Sequence, residues 1–169
     1  MKNKRLMGII GLIAAAVIGT AIYSATAGKD NKAASSNEKA KVGVLQLVSH
    51  PSLDLIYKGI QDGLAEEGYD KDKVDIDYLN AEGDQNKVAT MSKQLVDKDN
   101  QVLIGIATPS AQGLASATKD KPIVMGAVTD PVGANLVKDL KKPGGNITGV
   151  SDHNPTVQQL KLIKELTPN

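Results

Sequence analysis

The feature that most constrains this sequence is the alternation of short apolar runs with helical patterns between residues 42 and 127. Three runs are almost continuously apolar, namely residues 42–48 (VGVLQLV), 102–106 (VLIGI) and 122–127 (PIVMGA). Such runs are typical of strands that are covered on both faces, as in parallel sheets. Residues 74–78 instead alternate Val, Ile and Tyr with Asp. This alternation predicts a strand with one exposed face, near an edge of the sheet.

Apolar residues at helical spacing separate these strands. They are Leu53, Ile56, Ile60 and Leu64 in the first helix, Val88, Met91 and Leu95 in the second, and Ala111, Leu114 and Ala115 in the third. Gly68 is expected to end the first helix. The resulting order is βαβαβαβ. It predicts the α/β class, with a doubly wound parallel sheet and right-handed crossovers.

Beyond residue 127 the pattern changes. Residues 129–146 are rich in turn formers, residues 147–150 form a short strand, and apolar residues then recur at helical spacing up to Leu166. The last helix has an apolar face, but a complete lobe already covers its own sheet. We therefore expect this face to contact a second lobe. We expect residues 41–150 to form one ligand-binding lobe. Residues 151–169 are expected to hold a hinge crossing and the first helix of a second lobe that this chain leaves incomplete.

The first 40 residues have the pattern of an export segment followed by a linker. Residues 1–6 are basic, residues 7–27 carry no charge, and small residues end the run at Ala27. This pattern predicts export to an extracellular or periplasmic location. A helix of about 20 residues can cross a bilayer, so residues 7–27 are either part of a cleaved signal peptide or a retained membrane anchor. Residues 28–40 are small and polar, which is typical of a flexible linker.

Composition and motifs argue against several classes of function. The chain has 20 Lys and Arg against 19 Asp and Glu, a net charge of +1, whereas nucleic-acid-binding domains are usually basic. It has no Cys, and a metal site from His50, Asp152 and His153 would need two distant loops to meet. The sequence contains neither a glycine-rich phosphate loop nor a nucleophile elbow. We expect no enzyme activity, no cofactor and no nucleic-acid partner.

Three predicted strands end in polar residues, where a ligand crevice would open. In parallel sheets, ligands bind beyond the carboxyl ends of the strands, near the point where the strand order reverses. Each of these ends places a polar residue before a proline: His50-Pro51, Thr108-Pro109 and Asp130-Pro131. Proline is favoured at the first helical position, so the residue before it is expected to cap the helix or turn that follows.

The candidate ligand-binding residues are Ser49, His50, Thr108, Ser110, Thr129 and Asp130. Thr108 and Ser110 suit a ligand carboxylate, because a helix N-terminus attracts anions, and Ser49 is expected to assist across the crevice. Asp130 suits a ligand ammonium group, and His50 suits stacking or hydrogen bonding. The alternative interpretation is that these residues are ordinary caps and turns.

Residues 129–150 resemble the substrate-binding proteins of ABC importers. The segment TDPVGANLVKDLKKPGGNITGV contains the T-D-P-V-x-x-x-L-V and K/R-P-G-G-N-x-T-G signatures of one branch of that family. Residues 50–54 (HPSLD), Gly59, Gly68-Tyr69 and residues 105–112 (GIATPSAQ) fit the same branch. The resemblance extends from about Lys41 to the last residue.

The resemblance implies a type I periplasmic-binding-protein-like fold, whose two lobes close like a clamshell on a small ligand and deliver it to a membrane permease. It also implies an amino acid ligand, aromatic ones such as tryptophan or tyrosine in particular. By position it places Ser49, Thr108, Ser110 and Asp130 on the loops that line the cleft. Many Gram-positive relatives carry a lipid on a cysteine after the signal, which this chain lacks.

Two other functions stay open at this point. The same fold could serve as a membrane-anchored extracellular domain that senses a ligand for a signalling partner, which an uncleaved segment 7–27 would favour. A neighbouring gene for a permease and an ATPase would favour transport instead. An exported α/β enzyme would need a nucleophile and a partnered base in residues beyond this sequence.

Overall fold

The computed structural model describes residues 39–167, which form strands and helices in the predicted order. The predicted export segment, and all of the predicted linker except its last two residues, lie outside this range. The strands are β1 (Ala40–Gln46), β2 (Val74–Asn80), β3 (Val102–Ile106), β4 (Ile123–Val128) and β5 (Ile147–Ser151). The helices are α1 (Pro51–Glu66), α2 (Gln85–Asp97), α3 (Thr108–Ala117) and α4 (Thr156–Leu166).

The five strands form one parallel sheet in the order β2-β1-β3-β4-β5. The predicted α/β class and parallel sheet are confirmed. The alternating strand β2 lies at an edge, as predicted, because β1 is its only pairing partner among residues 39–167. The chain leaves β1 towards β2 on one side and returns to β3 on the other side. The strand order therefore reverses between β1 and β3.

Helices cover the two faces of the sheet with separate apolar clusters. One cluster joins alternate residues of β1 and β3, such as Val44 and Ile104, to Ile56 and Ile60 of α1. The other face packs against α2 and α3, and its buried members include Leu45, Leu95, Leu103, Leu114 and Ile123. All five residues of β3 are buried, because the strand has a strand on each side and helices on each face. This arrangement confirms the doubly wound architecture.

Strand and helix ends differ slightly from the predicted ones. β1 begins at Ala40, two residues before the apolar run, because Ala40 and Lys41 pair with the first two residues of β2. Gly68 follows the end of α1, as predicted, with a φ of +86°. Its conformation lets the N–H of Tyr69 donate to the carbonyl of Leu64 at 2.8 Å, a common helix ending that favours glycine.

The last helix, α4, has no buried residue. Its large apolar side chains, such as Leu160 at 60% and Leu166 at 73%, are more than half exposed. The amphipathic pattern therefore predicted the helix correctly, and its apolar face lies in solvent in this structure. Within residues 39–167, no helix is both long enough and apolar enough to span a membrane.

Candidate functional site

The strand order brings three candidate loops side by side at one edge of the sheet. β3 lies between β1 and β4, so the loop after β3 lies between the loops that follow those two strands. The parallel strands all point the same way, so their carboxyl ends share this edge. The crevice between the ends of β1 and β3, where the order reverses, is the expected ligand position in such a sheet.

His50 caps α1, as the sequence predicted for the residue before Pro51. Its backbone is extended, and its Nδ1 accepts a hydrogen bond from the N–H of Ser52 at 3.3 Å. Because Nδ1 is the acceptor, the neutral ring carries its proton on Nε2. The side chain is exposed, so this Nε2–H can donate to a ligand. The cap and a ligand-binding role are therefore compatible.

The prediction that Thr108 caps the next helix is wrong. The N-cap is Ala107, with φ +74° and ψ 157°, and Thr108 is the first residue of α3. The chain turns at Ala107, one residue earlier than predicted, and the N–H of Ala107 still bonds to the carbonyl of Gly126 in β4 at 2.9 Å. Among residues 39–167, no side chain caps the first turn of α3. By contrast, Asp84 caps α2 through two backbone N–H groups.

Ser110 lies within the protein rather than in the open crevice. It is fully buried, and its hydroxyl has no hydrogen-bond partner within the described part of the chain. Burial follows from the close approach of α3 to β3, since a Cβ on Gly105 would lie 2.7 Å from the Cα of Ala111. Thr108, two residues earlier, is half-buried.

Thr129 and Asp130 are exposed beyond the end of β4. The Asp130 carboxylate accepts a hydrogen bond from the N–H of Gly133 at 2.9 Å, and so caps a turn. The carbonyl of Thr129 accepts a bond from the hydroxyl of Ser151 at 3.2 Å, which ties this loop to the end of β5. Asp130 therefore has a structural role, and no hydrogen bond to its second carboxylate oxygen comes from residues 39–167.

Ser49 does not point across the crevice towards β3. Its hydroxyl has a long hydrogen bond, 3.4 Å, from the side-chain amide of Asn80 at the end of β2. β2 lies on the side of β1 opposite to β3, so this contact draws Ser49 away from Thr108. Ser49 and His50 are nevertheless on the same loop, and both are exposed.

The sequence analysis did not single out Gln46, which stands at the carboxyl end of β1. It is fully buried, although it is polar. Its side-chain amide donates to the carbonyl of Val48 at 2.9 Å and to the carboxylate of Asp54 at 2.6 Å. The signal was available, because Gln46 is the one polar residue within the apolar run 42–48.

Tyr57 of α1, Glu82 after β2 and Lys87 of α2 have shifted pKa values. Burial, and then the neighbouring Tyr78, raise the pKa of Tyr57, whose ring packs on Tyr78 with centroids 4.4 Å apart. A hydrogen-bonded ion pair between Glu82 and Lys87 lowers the pKa of the carboxyl and raises that of the amine. These shifts have structural causes, a packed tyrosine pair and a surface ion pair.

Neither of two shallow cavities includes the loop that follows β1. One of about 260 Å³ lies between α2 and α3, and one of about 220 Å³ lies beside β4 and β5. Among residues 39–167, no cluster of three or more His, Asp or Glu side chains could hold a metal ion. The loops at the strand ends therefore form an open surface of this lobe rather than an enclosed cavity.

Comparison with known proteins matches this architecture to one family. The family model for the ABC transporter substrate binding protein matches residues 41–169. A protein of Streptococcus pneumoniae, solved as an ABC domain in complex with L-Trp, is 76% identical, with a TM-score of 0.75. A conserved domain protein of Vibrio cholerae is 50% identical, with a TM-score of 0.76. Each of these two matches covers 78% of this chain and 45% of the other.

The chain spans about half the length of the curated relative that it matches. That relative is a tyrosine-binding protein of Clostridioides difficile (strain R20291), 42% identical over 176 residues, and the match covers 99% of this chain and 50% of the relative. The family model covers the sheet from Lys41 onwards, the helices α1 to α4 and the three candidate loops at the carboxyl ends of β1, β3 and β4. The chain therefore belongs to the ABC transporter substrate-binding proteins.

Proposed function

We propose that this chain forms the first lobe of an extracytoplasmic solute-binding protein that supplies an ABC permease. Its ligand is a small zwitterion, an aromatic amino acid of the tryptophan or tyrosine kind. The ligand lies between the crevice loops of this lobe and a second lobe. Residues 1–27 direct export, the residues from 28 up to the start of β1 form the linker, and residues 151–169 begin the crossing into the second lobe.

The uncapped N-terminus of α3 is the observation that carries the proposal. The first N–H groups of a helix have no acceptor within the helix, and the helix dipole makes this end positive. α3 begins beside the strand-order reversal, and no side chain within residues 39–167 caps it. A ligand carboxylate would supply the missing acceptors, as anions do at other helix N-termini.

A hydroxyl group on the first turn of α3 supports the same assignment. Thr108 is half-buried at the start of the turn, so its hydroxyl can donate to a ligand carboxylate in the crevice. Ser110 is fully buried, and we expect it to affect this site only through the turn that it shares with Thr108. The remaining oxygen of Asp130, on the neighbouring loop, suits the ligand ammonium.

The aromatic part of the ligand is supported by the relatives and by His50. One similar structure holds L-Trp, and the curated relative is a tyrosine-binding protein. The chain contains no Phe or Trp, so an aromatic ligand would stack on the exposed ring of His50, on a Tyr or on the second lobe. The second lobe would cover the opposite face of the ligand.

We expect the double substitution Thr108→Ala with Ser110→Ala to weaken binding of L-tryptophan and L-tyrosine by 10-fold or more, roughly the effect of one lost hydrogen bond to a charged group (about 1.5–3 kcal/mol). Isothermal titration calorimetry on the protein with both lobes measures the affinity. Ser116→Ala is the matched control, because its hydroxyl bonds to the Gln112 carbonyl at the far end of the same helix. Unchanged affinity in the double variant would contradict carboxylate binding at α3. A wild-type protein that binds neither amino acid would contradict the ligand class.

A further inference from the structure

Gln46 connects the strand, the crevice loop and the first helix through a single buried side chain. Its amide donates one hydrogen to the Val48 carbonyl, within the loop, and the other to the Asp54 carboxylate, within α1. The N–H of Asp54 in turn donates to the carbonyl of His50 at 2.9 Å. Asp54 is therefore held both by Gln46 and by the loop residue that caps the helix.

The orientation of the Gln46 amide is determined by its neighbours. A carbonyl and a carboxylate only accept hydrogen bonds, so the NH₂ group must face them and the Oε1 atom must face away. Oε1 is buried there, with no donor among residues 39–167. Leaving a buried acceptor unpaired is unfavourable. An apolar residue of similar volume would avoid this penalty at the end of an apolar strand, so stability alone does not account for glutamine here.

We propose that Gln46 is a positioning residue that holds the loop carrying Ser49 and His50 in its ligand-binding conformation. The inference rests on the proposed function, in which this loop forms one wall of the amino acid site. Gln46 is fully buried, so it acts through the loop. Its two bonds keep Val48 turned out of the sheet and keep the first turn of α1 against the end of β1.

Two variants test this role in the protein with both lobes. Gln46→Glu keeps the shape of the side chain and sets a carboxylate against two acceptors. Asp54→Ala removes one acceptor at an exposed position. We therefore expect this variant to fold even where Gln46→Glu does not. We expect backbone amides of residues 48–54 to exchange at least 10-fold faster in Gln46→Glu, and the affinity for L-tryptophan to fall at least 10-fold. Asp54→Ala should change both in the same direction, by about 3-fold or more.

Asn100→Asp is the matched control. Asn100 is also a buried amide, which donates to the Leu95 carbonyl at 3.0 Å. It lies just before β3, at the end of the strands opposite to the crevice. Asn100→Asp should lower thermal stability without changing the affinity for L-tryptophan or the exchange of residues 48–54. Wild-type affinity and wild-type loop exchange in a folded Gln46→Glu or Asp54→Ala variant would overturn the proposal. An equal loss of affinity in Asn100→Asp would also overturn it, because general destabilisation would then explain the effect.

Binding and exchange measurements distinguish a wrong ligand assignment from a wrong positioning role. If the wild-type protein binds neither L-tryptophan nor L-tyrosine, the ligand assignment is wrong. The exchange of residues 48–54 still shows whether Gln46 holds the loop, since that measurement needs no ligand. Unchanged exchange in Gln46→Glu contradicts the positioning role whatever the ligand is.

Discussion

Ala107 adopts a backbone conformation that is usually restricted to glycine, with φ +74° and ψ 157°. Two hydrogen bonds hold it there: its N–H donates to Gly126 of β4, and its carbonyl accepts from Ala111 in the first turn of α3. Such a conformation costs about 1–3 kcal/mol when the residue is not glycine. The residue directs the N-terminus of α3 towards the crevice, so strain is stored where the proposed ligand carboxylate binds.

Replacing Ala107 with glycine should relieve this strain. We expect Ala107→Gly to raise the free energy of unfolding by about 1 kcal/mol, because the strain exceeds the roughly 0.4–1 kcal/mol of extra backbone entropy that glycine has in the unfolded chain. Urea denaturation measures the change. Ala111→Gly, within the same helix, should instead lower the free energy of unfolding by about 1 kcal/mol. Equal destabilisation by the two substitutions would show that Ala107 is not strained.

At the scale of elements, close contact between β3 and α3 determines the position of the proposed carboxylate site. A Cβ on Gly105 would lie 2.7 Å from both the Cα and the N of Ala111, and 3.1 Å from the carbonyl carbon of Ser110. These are backbone atoms, so they cannot move away by a change of rotamer. The helix can lie this close to the strand only because residue 105 has no side chain.

We expect Gly105→Ala to lower the free energy of unfolding by about 1–3 kcal/mol, since the added methyl group would push α3 away from the sheet. The affinity for L-tryptophan should also fall, because the start of α3 moves with the helix. Gly59→Ala is the control, since a Cβ there meets no atom within 4 Å in the exposed part of α1. That substitution should raise stability by about 0.5–1 kcal/mol. Urea denaturation that shows equal effects of the two substitutions would contradict the close-packing argument.

At the scale of the whole molecule, α4 is the part that packs least against the rest. All of its residues are exposed, and its apolar positions include Val157, Leu160, Ile163 and Leu166, each more than half exposed. A single helix of fewer than about 12–15 residues is only marginally stable in water without tertiary contacts. The relatives are about twice as long as this chain, and we expect their further residues to cover this helix.

We expect backbone amides of residues 156–167 to exchange at nearly the rate of an unstructured peptide in the 169-residue chain. Amides of β3 should exchange only through global unfolding, because the strand is fully buried. In a longer protein that includes the second lobe, residues 156–167 should become protected. Hydrogen exchange measured by mass spectrometry compares the two proteins. Protection of α4 in the short chain equal to that of β3 would mean that its apolar face is already covered.

The sequence by itself determined the identity and order of the strands and helices. Runs such as VLIGI are apolar at every position, so a strand formed by them must be covered on both faces to bury every side chain. The alternation of Asp75 and Asp77 with apolar residues correctly predicted an edge strand. Local conformational preference also predicted Gly68 as the helix end and His50 as a cap, because both depend on residues that are close in the chain.

Only the tertiary structure decided how the strand ends are used. The order β2-β1-β3-β4-β5 places the crevice between β1 and β3. The helix cap is Ala107 rather than Thr108, because the chain turns at Ala107, whose N–H is bonded to β4. Ser110 is buried because α3 lies against Gly105, and Gln46 meets Asp54 because α1 folds back over β1. These features depend on contacts between segments that are distant in the chain or that meet only after folding. Periodicity and spacing report which face a residue occupies, and they do not report its partner on that face.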